Sequence, residues 1–313
     1  MHRLFPSLIL SALAATASAQ RLPAQFDHDR IHLVVRAPDG APIKAYVDSG
    51  GIDNVVAPPV VERLKLASAG RVDVEDVHEE LVAYPGFLAR AGVPAPLDDP
   101  LYHGHLVLQP APVADSDLFL GGPWLAGRTW LIDYVRHELT LDPYWRPSAR
   151  DHALPMGFKT NDAGMRIVQL PRIVVTVDGQ PLDMLLDTGA MAQLTADAAP
   201  AFGVAPGTVV GAGFIMTSVF ERWRAQHPDW RVIEHGELIQ GRTVPMIEVP
   251  KVTVAGLTVG PVWFIRRGDA NFTQGMSLAM DKPIVGAFGG SGLHWFHLVL
   301  DYPHAIAWIR PAS

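Results

Sequence analysis

Two stretches of the chain repeat each other without a gap, and this duplication constrains the fold more than any other feature. The first is Asp39-Gly40-Ala41-Pro42-Ile43-Lys44-Ala45-Tyr46-Val47-Asp48-Ser49-Gly50-Gly51. The second is Asp178-Gly179-Gln180-Pro181-Leu182-Asp183-Met184-Leu185-Leu186-Asp187-Thr188-Gly189-Ala190. Each follows a strand-like run, Ile31-His32-Leu33-Val34-Val35 or Ile173-Val174-Val175-Thr176-Val177. Asp-Gly between two such runs signals a hairpin, because both residues tolerate the positive φ of a tight turn. Each copy reads as strand, turn, strand, and then an aspartate directly after the strand.

A second correspondence closes each copy. Phe119-Leu120-Gly121 precedes Trp130-Leu131-Ile132-Asp133-Tyr134, and Leu139-Thr140-Leu141 follows. Later, Ile284-Val285-Gly286 precedes Leu298-Val299-Leu300-Asp301-Tyr302, and Ile306-Ala307-Trp308-Ile309 follows. The copies span about 24–145 and 165–313, within domains 20–145 and 165–313. Residues 146–164, with Pro147, Pro155, Gly157, Asn161 and Gly164, read as a linker. The excess length of the second copy is expected mainly in Gly211 to Pro250. Helices are expected at Pro59–Leu66, Ala196–Phe202 and Ile215–Gln226, the last stopped by Pro228. The rest alternates with a period near two, so the class is all-β with short helices.

A carboxylate directly after an apolar strand is costly unless it has work to do. Val47 and Leu186, with Tyr46 and Leu185, belong to the core. Asp48 and Asp187 follow, each succeeded by a hydroxyl residue and a glycine. The glycine allows a sharp turn and a close backbone approach. The hydroxyl of Ser49 or Thr188 can donate to a nearby backbone group and brace the loop. One such triplet means little, but two at matched positions after Asp-Gly point to paired function.

The pattern apolar-apolar-Asp-Thr/Ser-Gly-Ala/Gly with a later apolar-apolar-Gly resembles the retropepsin-like aspartic peptidases, in particular the bacterial exported members. The resemblance covers most of both copies but not the linker or 211–250. It implies two tandem β-barrel lobes in a pepsin-like pseudo-twofold arrangement. It implies Asp48 and Asp187 as the catalytic pair, supported by the loops Ser49-Gly50-Gly51 and Thr188-Gly189-Ala190. Two adjacent carboxylates share one proton, so one activates water while the other donates to the developing oxyanion. No metal or other cofactor is needed, the substrate is a peptide or protein, and one chain acts as a monomer. Gly51 in place of Ala is expected to loosen its loop, and Gly289-Gly290-Ser291-Gly292-Leu293 is looser than the usual helix start. Val72–Tyr84 and Val232–Val249 are candidate flaps. The rival expectation is a catalytically idle module that keeps the fold for binding or as a scaffold.

The remaining features exclude more than they add. A net charge of −7 with no basic run argues against nucleic acid. The absence of cysteine removes disulfides and thiol chemistry. His2 and Arg3, an apolar run Leu4–Thr16 and then Ala17-Ser18-Ala19 read as a signal peptide over residues 1–19. The mature protein is then exported, periplasmic or secreted, with no membrane span. Among thirteen histidines, His103-Gly104-His105 and His294-Trp295-Phe296-His297 are the densest groups, and neither has zinc-protease spacing. Asp53 occupies a position similar to an acidic subsite in retroviral relatives, or caps a turn. Trp124, Trp130, Trp263 and Trp308 read as core.

Overall fold

The computed structural model describes residues 18–74, 77–110 and 115–312, so residues 1–17 of the expected signal peptide lie outside the described residues. Strand accounts for 43% and helix for 16%, and the class is all-β. In the first half, β1 (Arg30–Arg36), β2 (Pro42–Val47), β3 (Asn54–Val56), β4 (Ser68–Val74), β5 (Val77–Val82), β6 (Leu106–Leu108) and β7 (Leu118–Leu120) build one sheet. Its order is β1-β2-β7-β3-β6-β5-β4, with Ala24–Asp27 beside β1.

The second half contains β8 (Arg172–Val177), β9 (Gln180–Leu186), β10 (Met191–Gln193), β11 (Val209–Gly211), β12 (Gly213–Met216), β13 (Val232–Ile239), β14 (Arg242–Val249), β15 (Val262–Arg267) and β16 (Gly286–Phe288). Its main sheet runs β8-β9-β16-β12-β15-β14-β13, extended beyond β8 by Val252–Val254 and Leu257–Val259. Strand by strand, this repeats the first sheet. β2 pairs with β7 in parallel, as β9 does with β16. β3 runs antiparallel to β7 and parallel to β6, as β12 does to β16 and β15. The hairpins β4–β5 and β13–β14 end the two sheets.

A third sheet takes strands from both halves. Thr129–Asp133 pairs antiparallel with Phe296–Asp301, with Trp130 opposite Leu300. Each of these strands turns back on itself at Asp133-Tyr134 or Asp301-Tyr302, and both tyrosines are buried. Gln20–Arg21 and His152–Pro155 add the outer edges. The segment 146–164 therefore contains a paired strand rather than only connecting the halves.

Several expectations need correction. Among the described residues no sheet closes on itself, so the expected β-barrel lobes are open sheets. Closure demands a consistent stagger along every strand. Here β3, β6 and β7 are three residues long, and the terminal hairpins pair on one side only. The excess of the second half lies mostly before Gly211. Five residues separate Asp48 from β3, whereas twenty-five separate Asp187 from β12. The added chain forms β10, α2 (Ala199–Phe202) and β11, a small layer with its own apolar cluster around Leu194, Val210 and Trp263. Ile215 and Met216 belong to β12, where burial and pairing claim them, so the helix there is Thr217–Gln226. That helix matches α1 (Pro58–Leu64) after β3, which opens on Pro58-Pro59 and ends at Lys65, φ 50°.

The main core is continuous through both halves and the third sheet. Trp124 and Trp130 are fully buried against each other, ring centroids 4.4 Å apart. Trp263 is buried and Trp308 half-buried.

Candidate active site

The two aspartates are delivered by the same device. β2 ends at Val47 and β9 at Leu186, each beside a parallel strand. The Asp48 N–H donates to the Leu120 carbonyl and the Asp187 N–H to the Phe288 carbonyl, both at 3.0 Å. This pins each backbone at the strand end and leaves the side chain free to point forward. The bonds also revise the sequence frame. The counterpart of Phe119-Leu120-Gly121 is Ala287-Phe288-Gly289, three residues later than Ile284-Val285-Gly286. Two apolar pairs followed by glycine lie back to back there, and only the strand pairing distinguishes them.

The loops interlock across the halves. The Ser49 N–H donates to Thr188 Oγ1 at 3.0 Å, and the Thr188 N–H donates to Ser49 Oγ at 2.9 Å. Ser49 Oγ donates to the Leu186 carbonyl at 2.7 Å and Thr188 Oγ1 to the Val47 carbonyl at 3.3 Å. Both side chains are buried, so none of these groups has water as an alternative partner. The hydroxyls thus brace the opposite loop rather than their own.

The carboxylates of Asp48 and Asp187 meet and are joined by a side-chain hydrogen bond. A Cβ on Gly189 would stand 2.0 Å from Asp48 Cγ, and one on Gly50 would stand 2.6 Å from Asp187 Cγ. Glycine is required at both places because the opposing carboxylate fills the space of a side chain. The Gly50 N–H donates to Asp48 Oδ1 at 2.6 Å, and the Gly189 N–H to Asp187 Oδ1 at 3.0 Å.

Burial, then the charge of Asp187, holds the Asp48 carboxyl well above the usual carboxylate range. Burial also raises Asp187, offset by hydrogen bonds from Asp48 and from the Gly189 and Ala190 N–H groups. Asp187 is 8% exposed. Asp48 keeps partial exposure to a cavity of about 330 Å³, near the lower end for small-molecule sites. Its floor is Asp48, Gly50, Gly51 and Gly189, and its apolar walls include Ile52, Phe119 and Met191.

Gly51 is not a loosened position. A Cβ there would lie 2.3 Å from Phe119 Cε1, so the ring dictates the glycine. Ala190 is buried at the matching place. Gly290–Leu293 forms a helical turn directly after Gly289, as Gly122–Leu125 does after Gly121. Asp53 lines the cavity and hydrogen-bonds to Tyr102, and burial raises its pKa. The candidate flaps fall on the hairpins β4–β5 and β13–β14.

No protein-family model matches the chain, and no curated protein matches it. The residues themselves must carry the functional reading. His103 is exposed and pairs with Asp98, His294 pairs with Asp29, and His297 pairs with Asp133. Among the described residues no group of three or more His, Cys, Asp or Glu is placed to hold a metal ion. None of their helices is long and apolar enough to cross a membrane.

Sequence reasoning placed Tyr46 in the core, where it is 0% exposed. It missed that the Tyr46 hydroxyl donates to the Gly189 carbonyl at 3.0 Å. The available signal was a tyrosine two residues before Asp48 where the second copy has Leu185. Tyr102 and Phe119 were missed as partners of Asp53 and Gly51, because neither lies near its partner in sequence.

Proposed function

We propose that the protein is a two-lobed aspartic peptidase of the retropepsin-like type, hydrolysing peptide bonds with Asp48 and Asp187 as catalytic residues. One observation carries the reading: two carboxylates from two copies of one motif meet beside a cavity that Asp48 lines, each against a glycine of the opposite loop that leaves room for it. Two carboxylates this close share a proton, as is general for aspartic proteases. The ionised partner takes a proton from a water between them, and the resulting hydroxide attacks the scissile carbonyl. The protonated partner donates to the oxygen on which charge develops. As the tetrahedral intermediate collapses, the amine leaves with a proton and the pair returns to its shared-proton state.

The surroundings favour this chemistry. The loops are fixed by buried bonds, so little reorganisation accompanies the reaction. One chain supplies both carboxylates, which makes the monomer the active unit. Ile52, Phe119 and Met191 offer apolar contacts to substrate side chains. The leader sequence makes the protein exported, with periplasmic or extracellular peptides and proteins as substrates.

The test is cleavage of a peptide library by the wild type and by Asp48→Asn and Asp187→Asn. Each variant is expected to lose at least about a thousandfold in kcat/KM, while circular dichroism remains that of the wild type. Near-wild-type turnover in either variant would overturn the assignment. Peptide binding by the wild type without cleavage would favour an idle binding module instead.

A further inference from the structure

The layer added to the second half walls a second cavity, of about 300 Å³, which shares no lining residue with the cavity at Asp48. One wall comes from the first half. There the strand Ala24–Asp27 turns into β1 at His28-Asp29, with φ of 49° and 65°, the pair of positive angles that a tight hairpin turn requires. Glycines of the second half seat this turn. The Gly211 N–H donates to the His28 carbonyl at 2.6 Å. A Cβ on Gly211 would lie 2.9 Å from the Asp29 Cβ, and one on Gly290 would lie 3.1 Å from it.

The facing wall is apolar and aromatic: Phe202, Val204, Val210, Trp263 and Trp295. The rings of Phe202 and Trp263 pack with centroids 5.6 Å apart. The Trp295 indole N–H donates to the Pro261 carbonyl at 3.1 Å, which fixes that ring. Glu248 on β14 stands opposite Trp263 on β15, so the two side chains share one face of the sheet.

The polar groups of this wall are unequally used. Ser291 Oγ donates to the Trp263 carbonyl at 2.8 Å, His294 Nδ1 hydrogen-bonds to Asp29 Oδ2 at 2.8 Å, and His28 Nε2 lies 3.6 Å from Asp27. The groups left over are chiefly acceptors, the Glu248 carboxylate and the second oxygen of Asp29. Glu221, Glu234 and Glu237, the other glutamates of the second half, are each paired with an arginine. Glu248 has no such partner among the described residues, although it is half-buried. A carboxylate withdrawn from water without a counter-charge is costly, and a bound cation relieves that cost. Arg231 lies over the Trp263 ring at 5.6 Å without lining the cavity. No group of three or more ligating side chains among the described residues is placed for a metal ion. Two carboxylates among aromatic rings suit an organic cation instead.

We propose that this cavity is a binding site for a small organic amine, whose ammonium group pairs with Glu248 and Asp29 and whose apolar body lies against Trp263, Trp295 and Phe202. The volume has room for about ten non-hydrogen atoms. The site stands independently of the peptidase reading.

The experiment is calorimetric and NMR titration of the whole protein with phenethylamine, and with phenethyl alcohol as its uncharged analogue. The amine is expected to bind with a Kd of about 1 mM or tighter, and the alcohol at least about tenfold more weakly. Glu248→Gln is expected to weaken the amine about tenfold and leave the alcohol unchanged. Trp295→Ala is expected to weaken both by about threefold or more. In the NMR titration the indole signals of Trp263 and Trp295 should move, while the methyl of Met191, which lines the other cavity, stays in place. No binding of the amine up to about 10 mM, or equal binding of amine and alcohol, would overturn the proposal. So would movement of Met191 without the indoles, which would place the amine beside Asp48. Should Glu248→Gln not fold, the comparison of amine with alcohol and the mapping by NMR decide the matter on the wild type alone.

Discussion

The two halves carry the same strand order and the same aspartate loop, yet they fill the space behind that loop differently. In the first half Gly51 faces the ring of Phe119; in the second Ala190 stands at the matching place and Ala287 replaces the ring. One step deeper, Leu120 and Trp124 of the first half correspond to Phe288 and Gly292 of the second. A Cβ on Gly292 would lie 2.4 Å from Phe288 Cε2. Bulk has moved from one strand or turn to its neighbour while the space stayed filled, which cores tolerate when total volume is kept. The hydrogen bonds that aim the aspartates did not change, because a backbone bond at a strand end has no substitute of another size. Packing is negotiable between the halves, and the strand-end geometry is not.

The glycines beside the carboxylates give the sharpest way to break this view. Gly189→Ala and Gly50→Ala would each drive a methyl group into the opposing aspartate. Each is expected to reduce peptide cleavage by about a hundredfold or more, with Gly189→Ala the worse because its clearance is smaller. Full activity in either variant would mean that the carboxylates are not fixed by their close approach.

The interlocked hydroxyls come next. Ser49→Ala is expected to cost about 2–3 kcal/mol in urea unfolding and Thr188→Ala about 1–2 kcal/mol, since each leaves buried groups unpaired. Ser49 should cost more because the bond its hydroxyl donates is shorter, 2.7 Å against 3.3 Å. Equal losses would show that the lock is as symmetric as the sequence motif.

A smaller effect tests the exchange of bulk. Gly51→Ala alone is expected to destabilise by about 1–3 kcal/mol through overpacking against Phe119. In a Phe119→Ala background, which imitates the second half, the same change should cost almost nothing. Urea unfolding of the four proteins gives the coupling energy, expected at about 1–2 kcal/mol. A coupling near zero would remove the packing explanation for Gly51.

The smallest effect is electrostatic. The Asp48 carboxyl binds its proton more tightly folded than unfolded, so stability is fully present below the unfolded pKa of about 3.9 and declines as pH rises through the folded value. Asp48→Asn removes that decline. The difference in Tm between pH 4 and pH 7 should narrow by about 2 °C or more in the variant; an unchanged difference would show that Asp48 is not held protonated by the fold.

What the sequence made legible follows from how locally each feature is encoded. The turn at Asp178-Gly179 is written in two adjacent residues, with φ of 50° and 73°, and it forms the tight two-residue hairpin expected. The first copy has the same dipeptide in a wider loop, closed by the Ala37 N–H on the Ala41 carbonyl. Asp48 and Asp187 could be paired because their motif is contiguous. The layer of β10, α2 and β11 was placed too late in the chain, since Met191–Gln193 and Gly213–Met216 are both short apolar runs after the aspartate. Which of them joins the sheet depends on pairing with β16. Tyr46, Tyr102 and Phe119 act on partners between 49 and 143 residues away, and Tyr46 on the farthest of them, a distance at which periodicity carries no signal.

The third sheet sets when, as well as where, the site can exist. Thr129 and Asp301 face each other although 172 residues separate them. A ribosome finishes both aspartates well before it reaches Phe296–Asp301, the strand that ties the two halves into one sheet. Until that strand has been made and seated, the sheet that joins the two halves is incomplete, and the bonds between the two aspartate loops must hold without it. A protein built this way carries its own delay, and we expect a chain stopped before Phe296 to hold every residue of the dyad and yet cleave nothing.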